Sequence, residues 1–587
     1  MIDEKILELK AHRNTCIPIW RISLPEILVT IFTFVRDGTY MMYGPTGNTS
    51  WIMAVPHVCR YWRSIALESP ALWNTPPTNL DTWTLAMLRR SRSAPLDIHF
   101  RYQSPSGLSI PLEKKRSRVN AGVFGNLNRI KILTLEMDHF SLAKLHSFWS
   151  NELDSLSAPL LERLAISSIP NESYVYQWPF DLRSPIFQQT DGLRELELAE
   201  TRINWTSPLL HNLTNFSYKL TFGAPLATTV TLWTEIASAL AQMPMLQTMH
   251  LCLPLPIEET DMTKLERSVH LGHLERLTLD FEFPLQIRTF LSLVRADRLD
   301  DLAISCAKPD DGGTAVHANT LQSISNTMSA SFWARMCTMH VHLNHTSDKR
   351  DHLRMFSAPL RSNHHSTASS FCVRLPRKDG SFDSDFSRES HLFLVDILDT
   401  IHLPTLKNIE YIGPLGAGTL ITSFGRLPYL ASLAVSGKTA FNLIEALSNP
   451  ITDDAPLQFS ALSSINLQDV ALREVPGCKK ADMKTQIEHC LVQRCEQGAT
   501  LQKLTVVRCC RQFSEVLRDI RQLDIINIEW DGLVLQFGED LDVEDNTNAE
   551  NLDQVDVDYK EEDDERTKRR KRRTKKKTDL ALKQQRG

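Results

Sequence analysis

The chain has 587 residues, which is too many for one compact core, so several domains or one elongated repeat body are expected. Its net charge of -5 is small and indicates no polyanionic partner, so nucleic acid is not the expected ligand. There is no C-x-x-C pair among the eleven cysteines, no run of about eighteen apolar residues, and no signal peptide in the opening MIDEKILELK. The sequence therefore predicts no membrane partner, free thiols, and a location in the nucleus and/or the cytoplasm.

The first well-specified element is a short apolar helix in ISLPEILVTIFTF, residues 22–34. Ser23 and Glu26 form an S-x-x-E capping box, and Pro25 lies in the first turn, where a missing N–H costs nothing. Apolar residues then follow with the spacing of one helix face: Leu24, Ile27, Leu28, Ile31 and Phe32. The pattern predicts a helix that starts sharply and has a broad apolar face to cover.

A second helix is predicted in WIMAVPHVCRYWRSIALESPALW, after a loop over Arg36 to Ser50. One face of this helix is apolar and comprises Val55, Val58, Cys59, Trp62, Ile65 and Ala66. Pro70 ends it, and Leu72 and Trp73 form an apolar turn beyond. Two short helices in about fifty residues cannot bury all of this surface against each other, so part of it is expected to contact another domain or another protein.

These segments resemble an F-box. LPEIL..IF, VCRYWRSIA and SPALW match its signatures, and WTLAMLRRSRSAPLDIHF extends the likeness to the F-box proteins abundant in mushroom-forming fungi. The resemblance covers roughly residues 17 to 100 and places the F-box at 17–78. The loop over Arg36 to Ser50 is longer than the usual connection, which is a departure from the family pattern.

The resemblance implies docking onto a Skp-type adaptor, which links F-box proteins to a cullin scaffold and a ubiquitin-conjugating enzyme. The adaptor contacts that it implies are Leu24, Pro25, Ile27, Leu28, Ile31, Val58, Cys59 and Trp62. A small apolar patch of this kind is also typical of a protein-interaction site on physical grounds. The alternative is that the side chains pack on the rest of the chain, and this applies most to Trp62, Ile65 and Trp73.

Residues 79–125 are expected to form a helical linker or cap, and 126–535 hold a recurring string, apolar-x-x-apolar-x-apolar. The thirteen strings are IKILTL (Ile130), LERLAI (Leu161), LRELEL (Leu193), LTNFSY (Leu213), LQTMHL (Leu246), LERLTL (Leu274), LDDLAI (Leu299), MCTMHV (Met336), LKNIEY (Leu406), LASLAV (Leu430), LSSINL (Leu462), LQKLTV (Leu501) and LDIINI (Leu523). Helix-like segments separate them, at spacings close to those of solenoid repeats.

Helix–strand repeats of this kind predict an α/β fold, an irregular leucine-rich-repeat solenoid with a parallel sheet whose variable positions face the concave surface. The alternative is an ordinary α/β domain with chance strings. Between about 341 and 400 the register is weak, with SSFCVRL near Phe371 as one more candidate unit. Such a surface, without an active-site motif, is expected to bind a protein.

The C-terminal residues 536–587 are expected to be a disordered tail. Glu539 to Glu565 contains fourteen acidic residues, and Arg566 to Lys577 contains ten basic ones. The basic run fits a nuclear-localisation signal centred on Lys568, Arg569, Arg570, Lys571, Arg572 and Arg573. The alternative is a solvated tail whose two halves neutralise each other.

No motif for nucleotide binding, metalloprotease or hydrolase chemistry is present, so no catalytic, cofactor-binding or metal-binding residues are predicted. CTMHVHLNH offers Cys337, His340, His342 and His345, but the spacing fits exposed strand histidines better than zinc ligands. Two functions follow. The first is a non-catalytic substrate-recognition subunit of a Skp–cullin–F-box ubiquitin ligase. The alternative is a non-catalytic nuclear scaffold or nucleic-acid-associated protein that uses the basic tail.

Overall fold

The structure of the protein is a computed structural model. It describes residues 2–15, 24–43, 50–102, 110–152, 157–169, 180–182, 187, 189–220, 233–254, 268–308, 315–343, 350–357, 370–376, 394–448, 458–470, 480–522 and 526–533. The chain forms two units, Met1–Leu535 and Gln536–Gly587, and every described residue belongs to the first. The predicted disordered tail, with its localisation signal, lies outside the described residues.

The N-terminal region is helical. Its helices are α1 (Ile2–Thr15), α2 (Pro25–Tyr43), α3 (Ser50–Ala54), α4 (Arg60–Glu68), α5 (Asp81–Arg90) and α6 (Ile110–Phe124). The predicted loop from Arg36 is wrong over its first eight residues, because α2 continues as a helix to Tyr43. The segment predicted as one second helix forms two helices, α3 and α4. A 3-10 turn follows α3, and the extended backbone of Cys59 interrupts the helix before α4 begins.

These helices have an apolar core of their own, which buries much of the surface that was expected to contact another domain or another protein. Its fully or nearly buried members are Leu28, Phe32, Trp51, Ile52, Val55, Ile65, Ala66, Leu72, Trp73 and Met87. The rings of Trp51 and Trp73 pack at 5.2 Å, and the indole Nε1 of Trp73 donates to the carbonyl oxygen of Ala66 at 2.7 Å. The core was not foreseen because it recruits Met87 of α5 in addition to the segments predicted as two helices.

Most of the rest of the first unit is one 16-stranded sheet with helices, so the predicted α/β class is confirmed. In spatial order its strands are β1 (Leu96–Tyr102), β2 (Ile130–Asp138), β3 (Arg163–Ile169), β5 (Glu195–Ala199), β7 (Asn215–Lys219), β8 (Thr248–Cys252), β10 (Arg276–Phe281), β12 (Asp301–Cys306), β15 (Ser370–Pro376), β14 (Arg350–Phe356), β13 (Thr338–Leu343), β16 (Asn408–Ile412), β17 (Ser432–Ser436), β18 (Ser464–Val470), β19 (Lys503–Cys509) and β20 (Asn527–Trp530). Two short ladders lie apart, β4 (Phe180–Leu182) with β6 (Thr201–Ile203), and β9 (Val269–His270) with β11 (Val294–Arg295).

All thirteen predicted strings overlap strands of the large sheet, and SSFCVRL is β15. The strands form because apolar residues alternate with polar ones: in β2, Leu133, Leu135 and Met137 are buried while Thr134 and Glu136 are half-exposed. The sheet begins earlier than expected, since β1 lies within the segment predicted to be a helical linker. The string that marks most of the other strands is absent from β1, so the sequence pattern did not reveal this strand.

The sheet is parallel except at one place. Strand β14 runs antiparallel to both of its neighbours, β13 and β15, whereas β12 pairs with β15 and β13 pairs with β16 in parallel. After β12 the chain forms β13 three positions further along the sheet. Strands β14 and β15 then occupy the two positions between β13 and β12. This corrects the expectation of a wholly parallel sheet and explains the weak register between 341 and 400.

The helices of this body are α7 (His139–Glu152), α8 (Trp233–Ala241), α9 (Pro284–Leu293), α10 (Ala315–Thr327), α11 (Ala330–Arg335), α12 (residues 394–400), α13 (Ala417–Ser423), α14 (Lys438–Ser448), α15 (Lys480–Glu496) and α16 (Arg511–Arg521). Helix α9 contacts α10, and α13 to α16 contact one another in succession. The apolar sides of the helices join the buried strand residues in one continuous core. The alternate strand residues form what we call the polar face. No helix of the described part is long and apolar enough to cross a bilayer.

Helix α5 joins the two cores, because Met87 lies in the N-terminal core and Leu88 in the core of the sheet. The buried guanidinium of Arg129 fixes the joint. It donates to the carbonyl oxygens of Leu88 and Ala94, both at 2.9 Å, and to the hydroxyl of Ser91 at 3.0 Å. The N-terminal helices are thus held rigidly at the β1 end of the sheet.

Candidate functional site

Helix α2 has a line of apolar side chains that its own core does not cover, which we call the α2 stripe. It consists of Leu24, Ile27, Ile31, Phe34 and Val35, at helical spacings of i, i+3, i+7, i+10 and i+11. Leu24 is 56% exposed, Ile27 45% and Phe34 73%, and Ile31 is half-buried. A stripe of this length in water, beside a complete core, is an unusual feature for a small helical unit.

The buried side of α2 lies next to the stripe. Leu28 and Phe32 are fully buried in the N-terminal core, so the expectation that Leu28 contacts a partner is corrected: it supports the stripe from beneath. Pro25 is exposed at the first residue of the helix, beside Leu24. The capping serine, Ser23, lies outside the described residues.

Arg36 anchors the middle of α2 from the buried side. Its guanidinium donates to the carbonyl oxygen of Ala71 and to the side-chain oxygen of Asn74, both at 2.7 Å, and pairs with Asp37 at 2.8 Å. Ala71 belongs to the 3-10 turn Pro70–Trp73 that also carries the core residue Trp73. These contacts keep α2 helical beyond Arg36 and present the stripe on a fixed support.

The second group of predicted contacts lies where α4 begins. Val58 is 57% exposed, and Cys59 is the N-cap of α4, with its sulfur accepting a hydrogen bond from the backbone N–H of Trp62 at 3.5 Å. The ring of Trp62 packs on Phe32 with 5.0 Å between centroids, and it remains partly exposed. The alternative of internal packing therefore holds for Ile65 and Trp73, which are buried, and partly for Trp62.

Three exposed apolar residues were missed by the sequence reasoning: Phe34, Val35 and Met53, of which Met53 is 62% exposed. The helical spacing after Ile31 was the available signal for Phe34 and Val35. It was not used because the motif match ended at Phe32 and a loop was expected from Arg36. Met53 lies on α3, which contacts α2.

The polar face of the sheet is the other candidate surface, and its charged side chains are mostly matched in pairs. In the first strands, Arg101 pairs with Glu136 at 3.4 Å, and Arg163 pairs with Glu195 at 3.6 Å and Glu197 at 3.5 Å. These pairs join neighbouring strands in register and lie in water, so each contributes little to stability. They define a hydrated, mixed-charge surface.

A partly buried carboxylate lies near the centre of this face. Asp280 on β10 accepts from His250 Nε2 at 3.0 Å and from the Ser305 hydroxyl. Burial opposes the charge of Asp280, but these hydrogen bonds and Arg374 outweigh burial and lower its pKa. In a nucleophilic triad the imidazole lies between the hydroxyl and the carboxylate. Here the carboxylate of Asp280 lies between the His250 imidazole and the Ser305 hydroxyl, so the histidine does not activate the serine.

The histidine string lies on β13 and its approach. His340 Nδ1 pairs with Glu410 at 2.9 Å, whereas the Cys337 sulfur contacts the carbonyl oxygen of Ser357. His342 is part of β13, and His345 lies outside the described residues. Within the described part of the chain, no three histidine, cysteine or acidic side chains are close enough to share a metal ion.

The comparisons with known proteins add no relative. A scan against models of known protein families finds no match, and a search of curated proteins finds none that is significantly similar. The two candidate surfaces therefore rest on the residues themselves.

Proposed function

We propose that the protein is a substrate-recognition subunit of a Skp–cullin–F-box ubiquitin ligase. The N-terminal helices would be its F-box and would bind a Skp-type adaptor, while the sheet body, a solenoid of divergent leucine-rich repeats, would bind a protein substrate. The observation that carries this proposal is the α2 stripe, which stays in water although the core beneath it is complete. The first of the F-box signatures in the sequence, LPEIL..IF, lies on the same helix.

A partner is the simplest physical cover for the stripe. Burying a leucine, isoleucine or phenylalanine side chain contributes about 1.5–3 kcal/mol, so covering half of each of five side chains gives a gross gain of about 5 kcal/mol. A rigid helix also loses little entropy on binding, because the guanidinium bonds of Arg36 have already fixed it. These two properties are those of a preformed interface.

The backbone pattern supports stacked repeats. The second residue of one string accepts a hydrogen bond from the second residue of the next: Lys131 from Glu162 at 2.8 Å, and Glu162 from Arg194 at 2.8 Å. The same bond recurs further along, from Gln247 to Thr214 at 2.8 Å and from Glu275 to Gln247 at 2.9 Å. Equivalent positions thus repeat from strand to strand, as expected for a solenoid.

The chain itself would carry out no chemistry in this proposal. The Skp-type adaptor would hold it on the cullin scaffold, and a ubiquitin-conjugating enzyme bound there would modify lysines of the substrate. The polar face is suited to the substrate because its half-exposed side chains vary in charge and size from strand to strand, which is the requirement for selective protein binding.

Affinity purification from the protein's own cells tests the proposal. The chain with Leu24→Asp and Ile27→Asp is expected to lose the adaptor and the cullin, because each carboxylate would be buried unpaired at the interface. Tyr429→Asp is the matched control, since Tyr429 is 59% exposed on the sheet body. The control should retain both subunits. Absence of an adaptor from the wild-type sample, or its retention by the double variant, contradicts the proposal.

A further inference from the structure

Two arginines near the middle of the polar face make no ion pair with another described residue. Arg354 on β14 is exposed and Arg374 on β15 is half-buried, and within the described part of the chain neither makes an ion pair. They differ in this respect from Arg101 and Arg163 of the first strands, whose charges are matched by glutamates.

The antiparallel pairing of β14 with β15 brings these arginines together. Leu353 pairs with Val373 across β14 and β15, and both are buried, so Arg354 and Arg374 share the opposite, polar side. Arg354 is opposite Cys372, two residues before Arg374. With about 4.8 Å between strands and about 3.3 Å per residue, the two Cα atoms lie about 8 Å apart.

The nearest acids on the same face are already engaged. Asp280 is bonded to His250, and Glu410 is bonded to His340, which stands opposite Arg354 on β13. Arg374 acts on Asp280 only through its longer-range charge. Among the described side chains of the three central strands, Arg354 and Arg374 are therefore charges that no ion pair matches.

Two nitrogen atoms of this cluster are also buried without a hydrogen-bond acceptor, Nε of Arg374 and Nε2 of His340. A buried polar atom without a partner is costly, and in a native protein each one calls for an explanation, such as an ordered water, an ion or a functional role. The ring of His340 is held in place by Glu410 on one side and by the edge contact with Phe356, at 5.5 Å, on the other.

We propose that β13, β14 and β15 form a docking site, centred on Arg354 and Arg374, for an extended protein segment carrying two anionic groups two residues apart. Alternate side chains of an extended strand lie on one side about 7 Å apart, which matches the separation of the two arginines. The anionic groups are carboxylates or phosphates, both of which guanidinium binds with two parallel hydrogen bonds. The site deepens the proposed function, and rests on it, by giving the chemical class of the substrate segment.

Binding of defined peptides to the full-length chain tests the site. Three fluorescent peptides with a photo-crosslinker share one extended sequence and carry two glutamates, two phosphoserines or two glutamines at i and i+2. We expect the anionic peptides to bind and the glutamine peptide not to bind. Arg354→Glu with Arg374→Glu should weaken binding at least tenfold, because charged hydrogen bonds of about 1.5–3 kcal/mol are lost and repulsion is introduced.

Arg518→Glu with Arg521→Glu is the matched control, since both arginines are exposed on α16 and the charge change is identical. It should change the affinity by less than about twofold. Equal binding by wild type and the β14–β15 variant, or crosslinks confined to the basic run Arg566 to Lys577, overturns the proposal. The anionic peptide that binds more tightly identifies the group as carboxylate or phosphate.

Adaptor binding by the same preparations separates this site from the proposed function. Retention of the adaptor by the β14–β15 variant shows that the chain is folded and that only the docking site has changed. Loss of peptide binding with adaptor binding intact is the expected pattern. Peptide binding at β14–β15 by a wild-type chain that binds no adaptor supports the site and contradicts the ligase proposal.

Discussion

Leu24 and Leu28 lie one helical turn apart on α2, and alanine at each position separates the role of the stripe from that of the core. Leu28 is fully buried among Phe32 and Trp51, so Leu28→Ala removes buried methyl groups and leaves a cavity. Substitutions of this kind cost about 3–5 kcal/mol. Leu24 is 56% exposed, so less than half of its transfer free energy is lost in Leu24→Ala, which is about 1 kcal/mol.

The two variants are compared by thermal unfolding and by titration with a purified Skp-type adaptor. Leu24→Ala should unfold close to the wild-type temperature and bind the adaptor at least tenfold more weakly, because it removes contact area only. Leu28→Ala should show a clearly lowered unfolding temperature for the N-terminal helices. Equal losses of stability in the two variants would refute the assignment of Leu28 to the core and Leu24 to the surface.

Three further predictions concern other parts of the first unit. Arg129→Met should destabilise the chain by about 3 kcal/mol, because the carbonyl oxygens that accept from Arg129 stay buried without a donor. The control Arg163→Met should cost below about 1 kcal/mol, because its ion pairs lie in water. Urea unfolding measures both variants, and equal costs would contradict the role of Arg129 in joining the two cores. Gly38→Ala should raise stability by about 0.5–1 kcal/mol, since a Cβ there meets no atom within 4 Å; a lowered melting temperature contradicts a helix through this residue. The folded-state pKa of Asp280 is lowered, so its stabilising contribution is present above the unfolded pKa and is lost as the pH falls through the folded value. The melting temperature of the wild type should therefore fall further between pH 7 and pH 3 than that of Asp280→Asn. Parallel pH profiles of the two melting temperatures would contradict this.

The strands could be predicted from the sequence because a single pattern repeats. A typical string places a leucine or similar residue just before the strand and two more within it, and the structure buries these residues, as in Leu161, Leu164 and Ile166. Burial of one face of a strand imposes a period of two, which is visible in one sequence without relatives.

The antiparallel strand β14 was not predicted because its residues lack the string. The available signal was the connection: only residues 344–349 separate β13 from β14, and parallel strands need a crossover of a dozen or more residues. A link of six residues permits an antiparallel pair only. The docking site proposed at Arg354 and Arg374 could not be found from the sequence, since it depends on this pairing.

The N-terminal region was predicted correctly as helical and incorrectly in its helix limits. Gly38 and Asp37 suggested a loop, yet the helix continues because Arg36 bonds the turn Pro70–Trp73, a contact across 35 residues. Local propensity favours a loop at glycine by only about 1 kcal/mol, which three hydrogen bonds of Arg36 readily exceed. The extent of the α2 stripe depends on this tertiary contact.

The central claim is that the α2 stripe binds a Skp-type adaptor, and direct titration of the purified full-length chain with purified adaptor is the most direct test. The account predicts saturable binding at micromolar or lower concentration, of about -8 kcal/mol or better, that is abolished in the variant carrying Leu24→Asp and Ile27→Asp and unchanged in Tyr429→Asp. No binding by the folded wild-type chain, or undiminished binding by the double variant, would contradict it.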